Sequence, residues 1–150
     1  ADGMPGAVLV QLRLDGGRYA NLVTQLERVC QAPVELAQAG HWLAAGHVYV
    51  MGDQTSVVSE GDALRFATLP AGASVLGDLP AKGNAVVMLS GADAERVDAV
   101  IELAHRGAWV AGQSGEGCYD PAAASALAVA GMPIGEPAWL ARELLSRWGL

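Results

Sequence analysis

The chain reads as an α/β fold: a mainly parallel sheet flanked by helices on both faces, with an antiparallel β-hairpin insertion. Three observations predict it. The run Ala85-Val-Val-Met-Leu89, stopped by Ser90-Gly91, is the pattern of a strand buried on both faces, which belongs to helix-covered parallel sheets. It passes through the polar segment Ala92–Asp98 into apolar residues at helical spacing, Val97, Val100, Ile101, Leu103 and Ala104. A second such unit opens the chain, and Thr55–Ser59 with Ala63–Leu69 around Glu60-Gly61-Asp62 read as a hairpin with a Gly turn.

In order, Met4-Pro5-Gly6 introduces a buried strand over Ala7–Leu12, and Asp15-Gly16-Gly17 breaks the chain. Tyr19, Leu22, Val23, Leu26, Val29 and Cys30 predict a helix from Arg18 to Gln31, ended by Pro33. Val34–Leu36 and His47–Val50 read as short strands, and the whole stretch from Val34 to Leu69 as antiparallel. Pro70–Gly83 reads as loop. The Ala85–Leu89 strand leads to a helix from about Asp93 to Arg106, with Gly107 as its cap. Ala108–Gly112 is the next strand, and Gln113–Gly117 a flexible polar loop. Asp120-Pro121 starts an Ala-rich helix over Ala122–Val129. Gly131–Pro137 is a connection, and Ala138–Trp148 a terminal amphipathic helix.

The 150 residues fit one domain with a substantial core, and 52% hydrophobic against 17% charged residues excludes disorder. A net charge of −7 argues against nucleic acid, whose backbone calls for a cationic face. No apolar stretch approaches the about 18 residues of a membrane span, and nothing resembles a signal peptide. The expected compartment is the cytoplasm, without membrane insertion. Cys30 and Cys118 lie in no CxxC pattern and are expected as reduced thiols. The chain starts at Ala1, without Met and directly before a strand, so it is expected to be a fragment of a longer one.

Chemistry is sparse. His41, His47 and His105 have no partner at metal-ligand spacing, and no metal or cofactor is expected. There is no GxGxxG, phosphate loop or GxSxG elbow. Ser74, in Gly72-Ala-Ser-Val-Leu-Gly77, lacks the preceding strand and following helix that a nucleophile turn needs, and reads as a loop serine. The four tryptophans read mainly as packing residues, with Trp139 and Trp148 also candidates for a docking face.

Taken together, Ala7–Cys30, Leu43–Met51, Val86–Asp98 and Gly107–Gln113 resemble the catalytic domain of the chemotaxis receptor methylesterase family, CheB. The strand ending in Gln-His-Met-Pro in that family resembles Val8-Leu-Val-Gln-Leu-Arg-Leu14. Its Leu-x-Pro-Gly-x-Val-Tyr-x-Ala-Pro hairpin resembles Leu43-Ala-Ala-Gly-His-Val-Tyr-Val-Met-Gly52. Val86-Val-Met-Leu-Ser-Gly-Ala-Asp-Ala-Glu-Arg96 is similar to Val-Val-Leu-Thr-Gly-Met-Gly-x-Asp-Gly, and Arg106-Gly-Ala-Trp-Val-Ala-Gly-Gln113 to Ala-Gly-Ala-Trp-x-x-Ala-Gln.

The resemblance implies a Ser-His-Asp esterase, yet its catalytic positions carry over poorly. The nucleophilic Ser lies on a strand upstream of the first one here. The catalytic His falls at Leu12, beside Gln11, and the orienting Asp at Glu95. The Met associated with the oxyanion region falls at Ala92, and the Gly-Met-Pro turn of the family is shortened to Tyr119-Asp120-Pro121. A Ser hydroxyl without a base is a weak nucleophile, and the base needs its orienting acid. Arg13 is no substitute, being always protonated.

The expectation is therefore a degenerate, non-catalytic methylesterase-like domain with a relic crevice at Gln11, Leu12, Ser90, Gly91, Ala92 and Glu95. It would serve as an interaction or regulatory module in bacterial chemosensory signalling. Its partners would be a receiver domain, chemoreceptor helices or a second copy. The alternatives are an active protein-glutamate methylesterase, with Ser supplied from upstream, and a small-molecule binding domain reusing the crevice near Gly91–Glu95.

Overall fold

The structure, a computed structural model, describes residues 4–12, 14, 16, 18–69 and 79–150. Arg13, Ser74 and most of the Pro70–Gly83 loop lie outside the described residues. Two compact units follow one another, Ala1–Leu79 and Pro80–Leu150. Among the described residues, parallel strands, four α-helices and one antiparallel hairpin give the mixed α/β class that the sequence implies.

In the first unit, β1 (Val8–Gln11), β2 (Val34–Leu36) and β3 (Val48–Met51) form a parallel sheet in the order β1-β3-β2. Val48 faces Val8 on one side and Val34 on the other. The unbroken apolar run of β3 suits this central place, and all four of its residues are buried. β1 is an edge strand and only half-buried. The helix α1 (Tyr19–Glu27) lays Leu22, Val23 and Leu26 on a core of Val34, Val48 and Val50. It ends before the expected Gln31, and Val29, off the packed stripe, is 78% exposed.

One expectation for this unit is overturned. β2 and β3 are parallel to β1, so antiparallel pairing does not extend over Val34–Leu69. Residues 37–47 carry the chain back between two strands running the same way, which a tight turn cannot do. Among the described residues only β4 (Thr55–Glu60) and β5 (Ala63–Thr68) are antiparallel strands, joined through Gly61-Asp62. Gly61 takes φ +63°, where glycine carries no Cβ penalty. The facing pair Val57 and Phe66 is fully buried. Across the hairpin surface Arg65 pairs with Glu60. The returning segment runs beside β5: Gly40 N donates to Phe66 O at 2.7 Å, and Phe66 N to His41 O at 2.9 Å.

In the second unit, β6 (Ala85–Met88), β7 (Trp109–Gln113) and β8 (Ile134–Gly135) form a parallel sheet in that order. β6 is joined to β7 through a 3₁₀ turn (Ala94–Arg96) and α2 (Val97–His105), which buries Val97, Val100 and Leu103. As an edge strand β6 is less covered than its sequence implies: Met88 is buried, Val86 and Val87 are half-buried, and Leu89 beyond it is 54% exposed.

The helix α3 (Ala122–Val129) lies against β7, and an alanine chain is what permits it. A Cβ added at Gly112 would stand 3.0 Å from Ala124 Cα and Cβ. The carboxylate of Asp120 accepts from Ala122 N at 3.2 Å, but the N-cap position falls on Pro121, one residue later than expected, and makes no side-chain cap bond. Ahead of α4 (Pro137–Arg147), β8 occupies what the sequence reads as a plain connection. Trp139 packs over Gly135 and lies 6.3 Å from Trp109, whose ring also carries the Arg147 guanidinium at 4.4 Å. Trp139 is thus committed to packing within its unit.

Candidate functional site

The carboxyl ends of β6 and β7 are where an α/β sheet presents its loops for chemistry. Here they are tied together. Gln113, the last residue of β7, is 9% exposed and accepts from Ser90 N through Oε1 at 2.8 Å. The Ser90 hydroxyl oxygen accepts from Asp120 N at 3.1 Å, and Gly91 N donates to Asp120 O at 3.2 Å. Cys118 Sγ closes the loop on Gln113 O at 3.4 Å. Gly91, at φ +81°, turns the chain sharply enough to bring its N–H to Asp120.

The turn then feeds α2. Asp93, extended at φ −69° and ψ 114°, accepts from Glu95 N at 2.9 Å and so caps the 3₁₀ turn. Arg96 stands 4.0 Å from the other Asp93 oxygen. The exposed Glu95 carboxylate makes no hydrogen bond or ion pair among the described residues. Together with Asp93 and Asp98 it places negative charge at the start of a helix, where the dipole favours it.

The sequence-predicted residues fall into two groups. Ser90, Gly91, Ala92 and Glu95 share the turn after β6 in the second unit. Gln11 and Leu12 belong to the first unit, Gln11 ending β1 opposite Met51 and Leu12 following it half-buried. Sequence reasoning missed Gln113 and Asp120 as the residues that hold the turn. Gln113 belongs to β7 and is not part of a flexible loop; its place at the end of the Trp-containing motif was the available signal.

The chemistry of the turn is limited. Ser90 Oγ is used as an acceptor, and the unit's one histidine, His105, sits at the far end of α2. A hydroxyl becomes a nucleophile when a base lies within hydrogen-bond reach, and within this unit Ser90 has none. No group of three His, Cys, Asp or Glu among the described residues could hold a metal ion. None of the helices over those residues is long and apolar enough to cross a membrane.

Residues 1–134 match the family model described as CheB methylesterase. The chain belongs to the CheB methylesterase family. Its fold is similar to that in the crystal structure of the Thermotoga maritima CheB methylesterase catalytic domain. The TM-score is 0.81 at 15% identity, over 96% of this chain and 85% of that one. A comparison with curated proteins gave no match. At that identity the solved CheB structure speaks for the fold, and the chemistry rests on the residues present.

Proposed function

We propose that this CheB-family chain is a degenerate, non-hydrolytic domain acting as an interaction module in bacterial chemosensory signalling. The observation that carries the reading is Leu12. It stands where the CheB resemblance puts the catalytic histidine, directly after the β1 strand, and a hydrocarbon side chain neither takes nor returns a proton. Losing the base of a Ser-His-Asp set costs several orders of magnitude in rate. Glu95, at the position of the orienting acid, then has no imidazole to orient and serves the start of its helix. Ala92 likewise replaces the methionine of the oxyanion region. Ser90-Gly91 keeps the shape of the turn.

In this reading the two units work as one domain of a cytoplasmic protein, since the family model runs across both. The partners are a receiver domain, the helical bundle of a chemoreceptor or a second copy of the chain. The test is hydrolysis of receptor glutamyl methyl esters by the full-length protein, followed by methanol release. No release above background is expected. Release abolished by replacing a serine upstream of Ala1 would establish an active methylesterase and overturn the proposal. Binding of a receiver domain or receptor peptide, unchanged by Glu95→Ala, is the expected positive result. Metabolite binding lost in that variant would favour a small-molecule role instead.

A further inference from the structure

We draw no further inference here: the strongest candidate, the uncharged outer edge of β6 with the exposed Leu89 beyond it, pairs with no strand among the described residues, and nothing in the structure shows what covers it.

Discussion

Replacing Gln113 by leucine tests whether one buried amide holds the turn after β6. Leucine is close to glutamine in volume, so the change removes an acceptor and leaves little cavity. Gln113 is 9% exposed, and its Oε1 receives the Ser90 N–H at 2.8 Å. Stranding a donor costs about 1–3 kcal/mol. Ser90 is half-buried, so solvent reaches part of it and about 1.5 kcal/mol is expected. Urea unfolding followed by tryptophan emission reads this directly, because Trp109, Trp139 and Trp148 all lie in the second unit. With a denaturant slope of about 1–2 kcal/mol per molar, the midpoint falls by roughly 1 M at unchanged slope. The Ser90 amide should also exchange faster with solvent. Ser90→Ala is the internal comparison. It strands only Asp120 N, on an exposed residue, while Gly91 N keeps its bond to Asp120 O, so about 0.5 kcal/mol is expected. A midpoint shift below about 0.2 M in Gln113→Leu, with Ser90 protection retained, would refute the reasoning. So would a larger loss in Ser90→Ala than in Gln113→Leu.

Three further outcomes are expected. Gly112→Ala puts a methyl 3.0 Å from the backbone of α3 at Ala124, which must shift, at a cost of about 1–3 kcal/mol visible as a lower melting temperature. Phe66→Ala empties a fully buried site and removes the ring against Tyr49, costing about 3–5 kcal/mol in urea unfolding. Glu95→Ala removes an exposed carboxylate with no partner among the described residues, so stability should stay within about 0.5 kcal/mol; a larger loss by calorimetry would show that Glu95 is structural.

Much of the fold is legible because each apolar run carries its own stop. The Ala85–Leu89 run ends at Ser-Gly, α2 at Gly107, and α3 opens on Asp120-Pro121. The direction of β2 and β3 is not legible. A three-residue strand has no sequence mark for parallel or antiparallel pairing, and the direction is set by a non-helical return over residues 37–47. β8 is only Ile134-Gly135, too short for periodicity, and it exists because β7 offers a free edge at Gly112 and Gln113. The overstated burial of β6 has the same origin. Its composition reports an apolar strand, while its position at a sheet edge decides how much of it is covered.

The candidate site divides in the same way. Residue type alone speaks to Leu12, since no environment makes leucine a base. The turn's geometry instead depends on contacts between residues 90, 113 and 120, which no local pattern announces. Those bonds are made by an amide, a hydroxyl oxygen and backbone groups, and none requires a proton to move. On the proposed reading this explains how the turn outlasts its chemistry. Substituting the base removes catalysis without touching any bond that shapes the loop, while substituting Gln113 would damage the fold. The shape of a CheB turn and the activity of a CheB enzyme therefore answer to different residues. Resemblance in the first does not supply the second.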